Sequence, residues 1–321
     1  MLVLSFLAIC GEPEPRWAIS LHGKTGFIDR TGRVVIPPQF ENAWGFSEGL
    51  TSVWTKESGG KVGYIDTSGN LVISPRFSYA RAFHDGVAVV QSGERWGAID
   101  KRGEWLINPQ YEELHDFHEG VAAFKVNGEW GFIDAKGIVR VDAQYRMVWG
   151  FSEGLAPVFT LGTCGFIDKA GNTIIPPQFN DCGGFGSGLA AVKSGKHGFI
   201  NRKGEWVIPP AFEFAAGFND GLAPVVSGGK WGLIDRTGKF IIEPMFAYSS
   251  MEGFAPFFSQ GLACVKEGSE FGFIDKEGQY RVPGKFYKCG RFNEGLAWAC
   301  KDREECGYVD LKGNWVWSGR P

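Results

Sequence analysis

Residues 230–235 read Lys-Trp-Gly-Leu-Ile-Asp, and the last four positions of this stretch recur throughout the chain. Each copy has glycine, a variable apolar residue, Ile or Val, and then Asp or Asn. Successive glycines lie 33 to 40 residues apart, and half of the spacings are 34. A regular period of this length indicates an array of structural repeats. The nine copies are Gly26–Asp29, Gly63–Asp66, Gly97–Asp100, Gly131–Asp134, Gly165–Asp168, Gly198–Asn201, Gly232–Asp235, Gly272–Asp275 and Gly307–Asp310.

Each repeat is predicted to be a three-stranded β-meander. In the repeat that begins at Gly221, alternation and turn residues place strands at residues 222–226, 230–235 and 239–242. Between the second and third strands, every repeat carries Asp or Asn followed three residues later by glycine. We expect the Asp to accept backbone N–H bonds and the glycine to adopt a positive φ. The turn glycines are Gly32, Gly69, Gly103, Gly137, Gly171, Gly204, Gly238, Gly278 and Gly313.

Prolines and aromatic residues follow the third predicted strand. Because proline lacks an N–H donor, we expect residues such as Pro38 and Pro244 to end the strand ladder. An aromatic residue comes next, and a second follows six residues later, or after an insertion in one repeat. One meander cannot bury its own face, so these rings predict a core between neighbouring repeats. They are Phe40 and Phe46, Phe77 and Phe83, Tyr111 and Phe117, Tyr145 and Phe151, Phe179 and Phe185, Phe212 and Phe218, Phe246 and Phe258, and Phe286 and Phe292.

The sequence resembles the bacterial WG-repeat, or KWG-repeat, family from residue 17 to residue 317. The resemblance rests on residues 129–134 and 230–235, followed downstream by Ile-x-Pro-x-Phe and Phe-x-Glu-Gly-Leu-Ala. It implies an all-β repeat module without catalysis that mediates binding. The Trp position varies in size and polarity, which argues against a binding role for its side chain. It holds Trp96, Trp130 and Trp231, but elsewhere Thr25, Val62, Cys164, His197, Phe271 and Cys306.

The predicted fold class is all-β, a tandem array of nine three-stranded repeats. The chain enters at the first strand of a repeat and leaves after the third, so no repeat is split between the two ends. Nine repeats also exceed the usual range of about four to eight propeller blades. Both features favour an open or incompletely closed superhelix. The alternative is a closed toroid that resembles a β-propeller.

Composition excludes several classes of protein. The 33 Lys and Arg residues are balanced by 36 Asp and Glu residues, so the formal net charge of −3 provides no cationic field for nucleic acid. No apolar stretch is long enough to span a membrane. Residues 17–321 are predicted to be a single repeat domain, preceded by a separate segment at residues 1–16. That segment fits either an atypical export signal or an extra apolar strand that caps the first repeat.

No set of residues predicts a catalytic, metal or cofactor site. The chain has no phosphate-binding loop or His-Glu-x-x-His motif, and its glycines, including those of the Gly-x-Ser-x-Gly stretches at residues 45–49 and 150–154, follow the repeat. The cysteines form no zinc-type Cys-x-x-Cys pattern. We therefore expect no enzyme activity, no cofactor and no metal.

The cysteines bear on location. Cys300 and Cys306 flank a hairpin turn and are expected to pair if the protein is exported, whereas Cys164 and Cys182 fall at positions typical of small buried residues. Without Cys10, an even number of six cysteines remains. This favours an exported or cell-envelope protein over a cytoplasmic one.

Charges recur at two positions of the repeat. A basic residue follows the turn Asp in six repeats, and an acidic residue precedes the glycine that opens the first strand in six repeats. Stacking is expected to align them in separate basic and acidic rows, which either keep the turns soluble or orient a charged partner.

A non-catalytic scaffold for protein–protein binding is the function that the sequence favours. A six-residue insertion at residues 247–252 must bulge, and Met251, Phe254 and Phe257 in and beside it are candidate partner-binding residues. The alternative is a glycan or cell-envelope binding module that uses exposed aromatic rings. Trp44 and Trp149, which share one position four residues after a core aromatic, are its candidates. Neither a nucleic-acid partner nor a membrane span is expected.

Overall fold

The computed structural model describes residues 14–248 and 255–320, in which nine antiparallel β-sheets form a ring. Each sheet is one blade, and its strands follow chain order from one edge of the sheet to the other. The predicted all-β class and tandem array are confirmed. Most of the predicted N-terminal segment, residues 1–13, lies outside the described residues.

The strands of the nine blades have the following bounds. Blades 1 to 3 contain β1 (Trp17–Leu21), β2 (Lys24–Ile28) and β3 (Val34–Phe40); β4 (Asn42–Ala43), β5 (Leu50–Trp54), β6 (Val62–Asp66) and β7 (Leu71–Phe77); and β8 (Tyr79–His84), β9 (Val87–Ser92), β10 (Arg95–Asp100) and β11 (Trp105–Tyr111). Blades 4 to 6 contain β12 (Glu113–Leu114), β13 (Val121–Val126), β14 (Glu129–Asp134) and β15 (Val139–Tyr145); β16 (Met147–Val148), β17 (Leu155–Phe159), β18 (Cys164–Asp168) and β19 (Thr173–Phe179); and β20 (Asp181–Gly186), β21 (Leu189–Ser194), β22 (Lys196–Ile200) and β23 (Trp206–Phe212). Blades 7 to 9 contain β24 (Phe214–Ala215), β25 (Ala223–Ser227), β26 (Lys230–Ile234) and β27 (Phe240–Ala247); β28 (Ala263–Glu267), β29 (Glu270–Ile274) and β30 (Tyr280–Phe286); and β31 (Lys288–Asn293), β32 (Leu296–Cys300), β33 (Cys306–Asp310) and β34 (Trp315–Gly319). A 3₁₀ turn, Lys56–Ser58, joins β5 to β6.

Seven blades have four strands, one more than the predicted meander. The additional strand comes first and lies at the centre of the ring, where the Ser47 hydroxyl of blade 2 donates to the Phe83 carbonyl of blade 3 at 2.5 Å. The sequence pattern missed this inner strand because it is as short as two residues in four blades and bulged in others, as between Ala80 and Phe83. In blades 1 and 8 the described residues form only the last three strands.

The prolines do not end the last strand of each blade, which is a correction to the prediction. β3 continues through Pro37 and Pro38 to Phe40, but its pairing with β2 jumps from Phe27 opposite Ile36 to Thr25 opposite Phe40. The residues between are bulged away from the ladder. A missing N–H donor has no consequence there, because the bulge and the outer edge of the sheet require none.

This bulge explains the glycine in the recurring tetrapeptide. The bulged backbone crosses directly over it, so that a Cβ on Gly97 would lie 2.5 Å from the Ile107 carbonyl oxygen. A Cβ at the corresponding glycine of every blade would approach backbone atoms of the outer strand to less than 3 Å. Only glycine leaves room for the crossing.

The Asp-x-x-Gly turns form as predicted in all nine blades. In blade 7, Asp235 Oδ1 accepts the backbone N–H groups of Thr237 at 2.8 Å and Lys239 at 3.1 Å. Gly238 has a φ of +87°, in the left-handed region. Asn201 takes the same role in blade 6, because its amide oxygen accepts equivalent bonds from Lys203 and Glu205.

The core lies between blades, as the aromatic pattern predicts. Val89 and Ile107 of blade 3 are buried together with Phe117 and Phe124 of blade 4, and corresponding clusters fill the other junctions. Phe258, the aromatic beyond the insertion, is buried between blades 7 and 8. Each sheet is therefore stable only against its neighbours.

Blade 9 packs against blade 1 and closes the ring. Trp17 and Ile19 of blade 1 are buried with Leu296 of blade 9, and the Tyr308 hydroxyl donates to the Ala18 carbonyl at 2.9 Å. The open or incompletely closed superhelix is therefore wrong, and the closed toroid is the arrangement observed: a nine-bladed β-propeller. The two chain ends do not need to share a blade, because apolar contact between separate sheets closes the ring.

Candidate functional site

The ring has two faces with different chemistry. Because successive strands are antiparallel, links between blades and turns between second and third strands lie at one end, which we term the linker face. The hairpins between first and second strands and the Asp-x-x-Gly turns lie at the other end, the turn face. The Lys56–Ser58 turn belongs to the linker face, and the Glu48–Gly49 hairpin belongs to the turn face.

The linker face carries a series of exposed aromatic and Met side chains. They lie one to four residues after the aromatic at the end of the outer strand, in or beside the first residues of the next blade, and nothing covers them within the described residues. Trp44 and Trp149 are the most exposed, at 54% and 52%. The set consists of Trp44, Tyr79, Met147, Trp149, Phe214, Tyr248 and Tyr287.

The candidate residues chosen from the sequence differ in location and in exposure. Trp44 and Trp149 are exposed on the linker face, but they belong to blades 2 and 5, so they do not share one site. Phe257 is half-buried, with the Arg291 guanidinium 4.3 Å from its ring centre. Met251 and Phe254 lie outside the described residues.

Sequence reasoning missed most of the exposed rings, although a signal was present. Tyr79, Met147, Phe214 and Tyr248 all lie two residues after the aromatic that ends the outer strand. Their backbone positions correspond from blade to blade, so one exposed member predicts the others. The position four residues after this aromatic was identified from the sequence, whereas the position two residues after it was not.

The tryptophans of the recurring stretch lie beneath this exposed layer. Trp231 is buried and makes T-shaped contacts with Phe214 at 5.7 Å and Tyr248 at 5.4 Å. Trp96 contacts Tyr79 in the same way at 5.7 Å. These tryptophans therefore support the surface rings, as expected for a position that tolerates several residue types.

The turn face is held by ion pairs between neighbouring blades. Lys101 of blade 3 lies 3.0 Å from the Glu48 carboxylate of blade 2, and Lys276 of blade 8 lies 2.8 Å from Asp220 of blade 7. Partial burial raises the pKa of Glu48, but the hydrogen bond and charge of Lys101 and the backbone N–H groups of Gly86 and Asp85 together outweigh burial and leave the pKa below its ordinary value. Members of the expected basic and acidic rows are thus joined in pairs at these junctions.

Six cysteines form three disulfides. Cys164 of blade 5 pairs with Cys182 of blade 6, Cys264 of blade 8 pairs with Cys289 of blade 9, and Cys300 pairs with Cys306 across a hairpin. The last pair is the one that the sequence suggested. Cys164 and Cys182 are buried as expected, but they link two blades instead of acting as separate apolar residues.

Metal and membrane sites are not found in the described part of the chain. No group of three or more His, Cys, Asp or Glu side chains in residues 14–248 and 255–320 is placed to hold a metal ion. In the same ranges, no helix has the length and apolar character needed to cross a membrane.

Solved structures share this fold without close sequence similarity. A eukaryotic initiation factor matches with a TM-score of 0.66 at 13% identity, covering 96% of this chain and 96% of that chain. The computationally designed Ika8 protein matches with a TM-score of 0.53 at 12% identity, covering 89% of this chain and 96% of that chain. At these identities the likeness concerns the fold alone. No curated protein sequence matches the chain.

The sequence matches the family described as WG containing repeat in eight segments. The segments are residues 26–53, 63–96, 96–130, 130–163, 165–196, 198–231, 231–270 and 271–303. Each runs from one blade into the next, which fits a core located between blades. Because the segments cover most of the chain, this protein belongs to the WG-repeat family.

Proposed function

We propose that this protein is a non-catalytic scaffold that binds a protein partner through its linker face. The observation that carries the proposal is the concentration of exposed Trp, Tyr, Phe and Met side chains on that face. These residue types are enriched at protein interfaces and dominate binding energy there. The turn face is a less suitable surface, because several of its charged groups already pair with one another.

The support beneath these rings favours binding without rearrangement. Phe214 is held between His197, at 5.2 Å, and Trp231, at 5.7 Å. A side chain that is already fixed loses little conformational entropy when a partner covers it. Blades linked by disulfides further restrict movement between the rings, and these disulfides support function in an oxidising, exported or cell-envelope compartment.

Site-specific photo-crosslinking in the cell that makes the protein tests the proposal. A benzophenone amino acid replaces Trp149 or Phe214 on the linker face, or Leu106 on the outer wall as a matched exposed control. We expect a discrete protein adduct from the first two positions and none from Leu106. Absence of an adduct at both linker-face positions, or equal adducts at all three, would contradict the proposal.

A further inference from the structure

Blade 2 departs from the other blades at several positions that meet at one place. Val62 stands where blades 3, 4 and 7 have Trp96, Trp130 and Trp231. Ser52 stands where blades 3 to 7 have apolar residues, including Ala123 in blade 4. The turn after β5 is also longer than in most blades and contains the 3₁₀ turn Lys56–Ser58.

These departures produce a pocket between blades 2 and 3 on the linker face. Its volume is about 230 Å³. Trp44, Trp54 and Tyr79 provide aromatic walls, while Val62 forms the side that a tryptophan fills in other blades. The pocket is smaller than the roughly 300–1,000 Å³ of sites for drug-sized ligands, and it therefore fits one small ring.

An unsatisfied polar group lies at the wall of the pocket. The Ser52 side chain is 2% exposed and lines the pocket, and its hydroxyl has no hydrogen-bond partner among the described residues. Leaving a buried hydroxyl unpaired costs free energy, so its presence in place of an apolar residue points to a ligand. The Asn42 amide and the Ser78 hydroxyl lie on the same lining.

We propose that this pocket binds a single neutral pyranose unit of a glycan. A sugar ring presents a C–H face that packs on Trp44 and Trp54, and hydroxyl groups that pair with Ser52 and Asn42. Among the described residues, no Asp, Glu, Lys, Arg or His lines the pocket, so a charged ligand meets no counter-ion from them. The pocket shares Trp44 and Tyr79 with the linker-face set, but the proposal does not require a protein partner, and its ligand is tested separately.

Saturation-transfer difference NMR on the full chain tests this site. The probes are glucose, galactose, mannose, N-acetylglucosamine and N-acetylgalactosamine, together with the tripeptide Gly-Pro-Gly. We expect a signal from at least one sugar, with the weak affinity of a single-unit site. Val62→Trp, which installs the residue of blades 3, 4 and 7, should reduce that binding at least about ten-fold by filling the pocket.

Two further variants, one of them with a matched control, keep the test decisive even if Val62→Trp disturbs folding. Trp44→Ala removes an exposed wall of the pocket and should weaken sugar binding, whereas Trp149→Ala removes the equivalent exposed ring of blade 5 and should not. Ser52→Ala should weaken binding about three- to ten-fold through loss of one hydrogen bond, without lowering the unfolding midpoint of the free protein. That combination separates a ligand-binding hydroxyl from a structural one.

Three outcomes would overturn the proposal. One is absence of a signal from every sugar in the panel. The second is sugar binding that Val62→Trp and Trp44→Ala leave unchanged. The third is a signal from Gly-Pro-Gly alone that Val62→Trp abolishes, which would assign the pocket to a peptide side chain. The photo-crosslinking result is unaffected by any of these outcomes.

Discussion

At the residue scale, two kinds of glycine are required for different physical reasons. The turn glycines, such as Gly238, adopt a positive φ that side chains disfavour. The glycine of the recurring tetrapeptide, such as Gly97, is required because the outer strand crosses over it. The two roles account for a large part of the 47 glycines in the chain.

Gly97→Ala should be strongly destabilising. Its Cβ would lie 2.5 Å from the Ile107 carbonyl oxygen, so the bulge must move, at a cost of about 3 kcal/mol. Gly45→Ala is the matched control, because a Cβ there meets no atom within 4 Å and its φ is not positive. Denaturant unfolding of both variants measures the difference. Equal midpoints would show that the crossing is not tight.

The turn aspartates should make the fold sensitive to acid. The side-chain hydrogen bond from Thr237 lowers the pKa of Asp235, and the one from Asn172 lowers the pKa of Asp168. A lowered folded-state pKa adds stability above the unfolded value of about 3.9, and this stability is lost as pH falls through the folded-state pKa. We therefore expect the denaturant concentration at the unfolding midpoint to decrease as the pH is lowered from about 5 to about 3.

Replacement of these residues by Asn tests the same mechanism. Asn201 shows that an amide oxygen accepts the same two backbone bonds. The double variant Asp168→Asn and Asp235→Asn should therefore fold at neutral pH and show a flatter dependence on pH. If carboxyl ¹³C NMR titration gives Asp168 and Asp235 pKa values at or above the ordinary Asp value, the linkage is disproved.

At the element scale, the blade is a sheet that is stable only between two neighbours. Its second strand is almost entirely buried, as in Leu155–Phe159, whereas its outer strand alternates between buried and exposed positions, as in Leu71–Phe77. Disulfides reinforce two of the junctions between blades. The Cys164–Cys182 bond closes a loop with a sequence separation of 18 residues.

Removal of that bond should weaken the junction between blades 5 and 6. The chain-entropy model gives a loss of about 3 kcal/mol for a loop of this length. The double variant Cys164→Ala and Cys182→Ala should therefore unfold at lower denaturant concentration than Cys300→Ala and Cys306→Ala, which opens a shorter loop of six residues. Peptide mapping of the unreduced protein is the direct check, and free thiols at Cys164 and Cys182 would refute the pairing.

At the scale of the whole molecule, closure makes the terminal blades equivalent to internal ones. Trp17 and Ile19 are buried against blade 9, and the Arg30 guanidinium lies 3.8 Å from the Glu294 carboxylate across the same junction. An open array has terminal repeats that fray, whereas a ring has none.

Hydrogen exchange should reveal this equivalence. We expect amides in Lys24–Ile28 and Cys306–Asp310, each paired on both sides, to be protected as strongly as those in Cys164–Asp168 in the middle of the chain. Ile19→Ala should lower stability by about 2–4 kcal/mol, as a cavity at an internal junction does. Terminal strands that exchange orders of magnitude faster than Cys164–Asp168 would indicate an open array.

The local features of this protein were determined by its sequence alone. Alternation of apolar residues, the Asp-x-x-Gly turns and the paired aromatics identify nine repeats with a core between them, because these signals reflect the needs of single residues and adjacent strands. The exposure of Trp44 and Trp149 was recognised in the same way. Such requirements act over a few residues, so they can be identified without knowledge of the rest of the fold.

Which distant residues come into contact depends on the tertiary structure. Closure depends on how Ile19 meets Leu296, and the Cys164–Cys182 pairing depends on how two blades are rotated against each other. The pocket beside Ser52 arises because Val62 leaves a space that only the neighbouring blade can bound. Small rotations at the junctions add up around the ring, and their total determines whether the two ends meet. No local sequence pattern encodes that total.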